Sequence, residues 1–152
     1  MGIPQIDWTQ RDQTNKIILH SANTIPDESI GGDEMRAIHM RKGLLDIGYH
    51  FVIRRDGIID SGRPQFAVGN HTEEHDEDSI GICLIGGINE DYQHEDNFTQ
   101  LQSRICKRLV RILIQMYPEA EIYSHNELEG GDNAFVNLIS EELRNIPLGE
   151  FD

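Results

Sequence analysis

Apolar positions along the chain fall into two periods. Short continuous apolar runs stand at Ile17-Ile18-Leu19 and at Ile82-Cys83-Leu84-Ile85. Runs of this kind suit strands buried on both faces. A first strand is expected over residues 16–20 and a central strand over 79–85, ended by Gly86-Gly87. Residues 48–54 alternate instead, which predicts a strand with Tyr49, Phe51 and Ile53 on one side and His50 and Val52 on the other. Asp56-Gly57 is a hairpin signal, so residues 58–60 are expected to return antiparallel. A last strand is expected over Glu121–Ser124. Three segments carry the helical period. One is expected from Asp33, as N-cap, to Leu44, with Met35, Ile38, His39 and Lys42 on one face. The longest opens at the capping-box pair Thr99 and Gln102 and ends before Pro118. Its expected buried stripe is Leu101, Ile105, Leu109, Ile112, Leu113 and Met116. The third is expected to run from Ala134 to Asn145, burying Phe135, Leu138, Ile139 and Leu143.

This order predicts an α/β fold, a mixed central β-sheet of about five strands flanked by helices. There is no repeat, linker or low-complexity segment, so residues 1–152 read as one domain, with 1–15 an N-terminal arm that packs Ile3, Ile6 and Trp8. Residues 62–78 have no periodicity, and a stretch of that length within a small domain is usually functional or mobile.

Composition narrows the class. With 152 residues, 38% hydrophobic and 26% charged, the chain can bury a core as a soluble monomer. The net charge of -14 argues against non-specific nucleic-acid or anionic-membrane binding. It leaves open an uncharged substrate, a basic protein partner, or plain solubility. No apolar run is long enough to span a bilayer, and the opening residues lack the basic region and apolar core of a signal peptide. Cys83 and Cys106 sit inside apolar patterns and read as buried free thiols of a protein folded in a cytoplasm.

The candidate chemistry collects at strand ends, where α/β domains bind ligands. His20 ends the first strand and His125 follows the last. Each is either exposed at its strand end or one of two imidazoles sharing a zinc ion, which needs three protein ligands if a position is to stay open. After His125, Glu127, Glu129 and Asp132 offer carboxylates, and Asp132 also suits the N-cap of the last helix. Tyr49 is either core or a phenol that orients water or a developing oxyanion. His71 and His75 lie in the long loop, where substrate contact or solvent exposure are both open; His39 reads as a partly buried surface residue.

Three segments carry a resemblance: Ile17-Ile18-Leu19-His20-Ser21, Leu45 through Gly57 with its Gly48-Tyr49-His50-Phe51 block, and Ser79 through Gly87. They closely resemble the type 2 N-acetylmuramoyl-L-alanine amidases, and within them the small lysozymes of T7-like phages, which share a fold with animal peptidoglycan recognition proteins. Asn97-Phe98-Thr99, Gln102 and Ser124-His125-Asn126-Glu127 continue the match in order, over roughly residues 15–140. The resemblance implies a zinc-dependent peptidoglycan hydrolase, endolysin-like, that cuts the amide between N-acetylmuramic acid and L-alanine. It implies His20 and His125 as zinc ligands, Tyr49 as catalytic and His71 as a substrate contact. It also implies synthesis in the cytoplasm of an infected cell and action on the cell wall after release. Some phage relatives bind and inhibit their phage's RNA polymerase, so a binding protein with weak or absent hydrolysis is the alternative.

Two departures fall at the site. The family's third ligand is a cysteine or aspartate after the second histidine. An ungapped count places Asn133 there, whereas aligning Phe135 with the family's phenylalanine places Asp132 there. A carboxylate is the better zinc ligand, so Asp132 is expected and Asn133 is the alternative. The family's lysine, two residues before that ligand, is replaced by Gly130 or Gly131. Loss of such an electrostatic group costs on the order of 10²–10³ in rate.

Overall fold

The computed structural model describes residues 5–130 and 134–145. In chain order its elements are β1 (Lys16–Ser21), α1 (Gly32–Arg41), β2 (Phe51–Ile53), β3 (Ile59–Ser61), β4 (Ser79–Leu84), α2 (Gln100–Met116), β5 (Glu121–Ser124), α3 (His125–Glu129) and α4 (Ala134–Asn145). A single 3₁₀ turn, Asp76–Asp78, precedes β4.

The two continuous apolar runs become the sheet's centre, as their burial on both faces requires. The strand order is β3-β2-β4-β1-β5. β1 pairs in parallel with β4 on one side and β5 on the other, β2 pairs in parallel with β4, and only the β2–β3 hairpin is antiparallel. The expected mixed sheet of five strands with flanking helices is therefore the observed one.

One core layer joins Ile17, Leu19, Ile53, Ile80, Ile82 and Leu84 of the sheet to α2 and α4 through Cys106, Leu109, Val110, Leu113, Val136, Ile139 and Leu143. The second layer is smaller: Met35 of α1, Ile47, Tyr49, Val52, Cys83 and Ile85. Each fully buried aliphatic side chain contributes about 1.5–3 kcal/mol against exposure, so the larger layer dominates stability and the smaller one is free to carry polar groups. Both cysteines are buried free thiols, as expected.

Several expectations shift. Helix α1 begins two residues earlier than expected, capped at Gly31 rather than Asp33. Glu34 accepts from the Gly31 N–H at 2.7 Å, and the Asp60 carboxylate, brought from β3, accepts from the Gly32 N–H at 2.7 Å. The helix ends at Arg41 rather than Leu44 because Gly43 takes a positive φ of 97°. The regular part of β2 starts only at Phe51. Alternation therefore does not extend back to Tyr49, which packs in the layer of Val52 and Cys83, not beside Phe51 and Ile53.

The stripe of α2 is also rotated. Its buried residues are Gln102, Cys106, Leu109, Val110, Leu113 and Ile114, while Leu101, Ile112 and Met116 are 40%, 55% and 55% exposed. The cause is Gln102. Its side chain donates to the carbonyls of Ile53 and Ile85 at 3.3 and 2.9 Å, and its Oε1 accepts from Arg55 and the Thr99 N–H. Those bonds turn the helix about its axis and bring the 102/106/109/113 line onto the sheet. Helix α3 replaces an expected loop. Ser124 and Glu127 form a full capping box there, with Ser124 Oγ accepting from the Glu127 N–H at 3.2 Å and Glu127 accepting from the Ser124 N–H at 2.9 Å. Of the stripe expected in α4, Ile139 and Leu143 are buried.

Candidate functional site

The site forms where β1 and β5 end. His20, near the end of β1, is in register with Cys83 of β4, and Leu19 is in register with Ser124 of β5. His125 follows directly as the first residue of α3. The capping box that starts α3 therefore also turns His125 toward β1, and the two imidazole centroids lie 4.9 Å apart. Tyr49 approaches from the irregular segment before β2, its ring 5.0 Å from His20 and 5.0 Å from His39. That segment is held by backbone. Gly48 donates its N–H to Nδ1 of His39 at 2.8 Å, Arg63 donates its N–H to the Tyr49 carbonyl at 2.9 Å, and a Cβ on Gly48 would lie 1.9 Å from the Asn70 carbonyl oxygen.

His71 reaches the cluster from the long loop. Its ring lies over Gly81 of β4, where a Cβ would come within 2.7 Å of it. The Asp76 carboxylate accepts from the N–H groups of His71 and Thr72 at 2.9 and 2.8 Å, which folds the loop back on itself. The His71 side chain has no solvent exposure, and its Nδ1 lies 2.9 Å from His20 Nε2. Behind it, His50 is enclosed: Nδ1 accepts from the Gly81 N–H at 3.0 Å and Nε2 donates to the Ala67 carbonyl at 2.8 Å. Gly69 and Asn70, which precede His71, help line an open cleft of about 490 Å³ with Trp8 and Arg63, whose guanidinium lies 4.9 Å from the centroid of the Trp8 ring; His20, Tyr49, His71 and His125 do not line it.

Burial sets the charge states. It drives the pKa of His20 well below the ordinary histidine value, with the nearby imidazoles of His125 and His39 adding to the effect. His71 is lowered likewise, by burial first and then by His20, His50 and His125. Burial, and then the neighbouring Cys83, pushes the Tyr49 hydroxyl well above its ordinary value. At neutral pH His20 and His71 are therefore neutral imidazoles, and Tyr49 is a protonated phenol.

The sequence-predicted residues His20, Tyr49, His71 and His125 come together. Asp132 and Asn133, expected as alternative third ligands, and Gly131 lie outside the described residues. Glu127 is committed to the α3 cap, to Ser140 at 2.6 Å and to Arg144 at 2.9 Å. Sequence reasoning missed the supporting roles of His39, His50, Thr72 and Asp76. It also missed α3, although Ser124-x-x-Glu127 is a readable capping signature.

The donor set fits a metal ion in part. His20 is 4% exposed, and among the described residues its Nδ1 has no hydrogen-bond partner. A buried nitrogen with a lone pair and no donor facing it is what a zinc ligand requires. Among the described residues no group of three His, Cys, Asp or Glu is arranged to hold an ion. His71 does not make a third, since its Nδ1 points at His20 Nε2.

Comparison with known proteins follows the same geometry. The family model described as N-acetylmuramoyl-L-alanine amidase matches residues 10–134. The chain belongs to this amidase family. The endolysin of Escherichia phage T7 is 37% identical over 124 residues, 82% of each chain. Among solved structures, the endolysin N-acetylmuramoyl-L-alanine amidase LysCS from Clostridium intestinale URNW superposes with a TM-score of 0.69 at 28% identity, covering 91% of this chain and 92% of that one. Drosophila PGRP-LB superposes with a TM-score of 0.73 at 21% identity, covering 93% and 86%, and shares the fold. Family membership places this amidase among enzymes and agrees with the resemblance in the sequence.

Proposed function

We propose that this amidase is a zinc-dependent peptidoglycan hydrolase of the endolysin type, which cleaves the amide between N-acetylmuramic acid and L-alanine. The observation that carries the reading is the enclosed, neutral His20, whose Nδ1 has no hydrogen-bond partner among the described residues, 4.9 Å from His125 and 5.0 Å from Tyr49 by ring centroids. His20 and His125 would hold the ion with Asp132 as third ligand, Asn133 being the alternative. When bound, zinc supplies a Lewis acid for a carbonyl oxygen and lowers the pKa of water toward about 7.

The chain's own residues supply the rest. Tyr49 keeps its proton; turned away from the Cys83 sulfur that it bonds in the free chain, its hydroxyl would donate to the negative charge that develops on the lactyl carbonyl oxygen. Its position is rigid because Gly48 and the Tyr49 carbonyl are bonded on both sides. With glycine in place of the family's lysine, Tyr49 carries a larger share of that stabilisation.

The test is release of L-alanine amino termini from purified peptidoglycan, with added zinc and with a chelator. Zinc-dependent release is the expected result; no release from folded protein would remove the reading. His20→Ala and His125→Ala are each expected to abolish stoichiometric zinc binding, and zinc retained by both would sink the ligand assignment.

A further inference from the structure

Three polar atoms at the base of the cluster lie within hydrogen-bond distance of one another. His20 Nε2 is 2.9 Å from His71 Nδ1 and 3.1 Å from Thr72 Oγ1, and those two atoms are 2.8 Å apart. On its other side, His71 Nε2 faces Ser79 Oγ at 3.4 Å and the Asp76 carboxylate at 3.7 Å. One pattern of hydrogens satisfies these contacts together. At 3.7 Å the Asp76 carboxylate is beyond hydrogen-bond range of His71 Nε2, but its negative charge favours an N–H over a lone pair on that nitrogen, with Ser79 Oγ accepting from it. A neutral imidazole has a single N–H, which leaves His71 Nδ1 as an acceptor. The His20 nitrogen aimed at it is then a donor, and the Thr72 hydroxyl donates to the same His71 atom while its oxygen faces His20. The one hydrogen of His20 therefore sits on Nε2, and Nδ1 keeps its lone pair.

We propose that His71 is a positioning residue: the Asp76–His71–His20 series, braced by Thr72, sets the tautomer and ring angle of His20 and presents its Nδ1 to the ligand. This differs from the substrate contact that the family resemblance implies for His71. The side chain is fully enclosed, and both of its nitrogens face protein atoms. Asp76 acts twice in the series. It accepts from the N–H groups of His71 and Thr72, which places the ring, and its charge selects which ring nitrogen holds the hydrogen. Gly81 supplies the floor, since any side chain there would occupy the space of the His71 ring. Thr72 is 1% exposed, so water does not compete for these bonds.

The metal part of this inference rests on the zinc reading above, but the tautomer is a property of the metal-free chain, so the two fail separately. Long-range ¹⁵N–¹H NMR of the metal-free protein reports the tautomers of His20 and His71, and calorimetric titration reports zinc affinity. The wild type is expected to show hydrogen on Nε2 of both rings. His71→Phe keeps the ring volume over Gly81 but removes both nitrogens. It is expected to leave His20 in mixed tautomers and to weaken zinc binding by about 10–100-fold. Asp76→Asn keeps an acceptor for the two backbone N–H groups while removing the charge, and is expected to move part of His71 to the Nδ1–H form. Thr72→Ser is expected to restore what Thr72→Val loses. His20 found with its hydrogen on Nδ1 in the wild type overturns the proposal. So does a folded His71→Phe that raises KM alone while zinc affinity and the His20 tautomer stay unchanged, which returns His71 to a substrate contact. If His71→Phe does not fold, the His71 tautomer in Asp76→Asn decides, and no change there is against the proposal. A wild type that shows the expected tautomers but binds no zinc removes the metal reading and leaves the positioning role standing.

Discussion

Lowering the pH should destabilise this amidase through His50. His50 is 1% exposed, accepts from the Gly81 N–H on Nδ1 and donates to the Ala67 carbonyl through Nε2. Both ring nitrogens are committed to the neutral form, and a second proton would set two N–H groups facing each other across the Gly81 bond. Burial is the main cause that lowers its pKa from the ordinary 6.5 to about 4, with Arg11 and Arg63 adding to the effect and the Ala67 bond opposing it. Between those values the unfolded chain binds a proton that the folded chain refuses, so stability rises with pH across the window. The contribution is fully present above 6.5, is lost as the pH falls, and is gone below about 4. The gap corresponds to about 3 kcal/mol, a large share of the stability of an ordinary domain. The perturbation that isolates it is His50→Gln, which cannot titrate in this range. Urea denaturation of wild type and variant would be compared in steps from neutral pH down to about pH 4. The wild type's advantage over the variant should shrink by about 3 kcal/mol on the way down. An advantage that stays constant to within about 0.5 kcal/mol would refute the reasoning, as would an NMR titration placing His50 near its ordinary value.

Other outcomes follow from single contacts. Gly48→Ala sets a methyl group 1.9 Å from the Asn70 carbonyl oxygen, which is backbone and cannot swing aside; a loss of about 3 kcal/mol or more is expected in thermal melts, and a melt unchanged from wild type would contradict the packing. Ser124→Ala removes the hydroxyl cap of α3 and should cost about 1 kcal/mol, with weaker zinc binding because His125 is the first residue of that helix. A Cβ on Gly130 meets no described atom within 4 Å, but Gly130→Lys must adopt φ +82° and ψ 174°, so hydrolysis should rise while stability falls by about 1–3 kcal/mol; unchanged hydrolysis would show that the missing lysine is compensated elsewhere. Asp132→Ala should lower zinc affinity more than Asn133→Ala, and the reverse order would make Asn133 the residue at the ligand's place.

Much of the fold was legible because strong local signals agreed with the tertiary structure. The continuous runs at Ile17-Ile18-Leu19 and Ile82-Cys83-Leu84-Ile85 became the two central strands, since only a strand covered on both faces tolerates such a run. Asp56-Gly57 gave the antiparallel β2–β3 pair, and the Thr99 and Gln102 capping box started α2 where it was expected. His20, Tyr49, His71 and His125 were recognisable as a set, because each sits at or near the end of a readable element or within a family motif.

What lay beyond the sequence was whatever depends on partners distant along the chain. The face that α2 buries was decided by the carbonyls of Ile53 and Ile85, which draw Gln102 inward and leave Ile112 and Met116 outside. The start of α1 was decided by Asp60 arriving from β3. Tyr49 joined the cluster, not the opposite core layer, because Gly48 is tied to His39 and packed against Asn70 before the strand becomes regular. The order of hydrogens that presents Nδ1 of His20 depends on Asp76, fifty-six positions later in the chain, and on a glycine in β4. Periodicity reports which residues avoid water, so it determined the strands, the helices and the candidate set. Orientation, tautomer and charge state follow from close contacts between segments far apart in sequence, and only the folded chain brings those contacts within hydrogen-bond range.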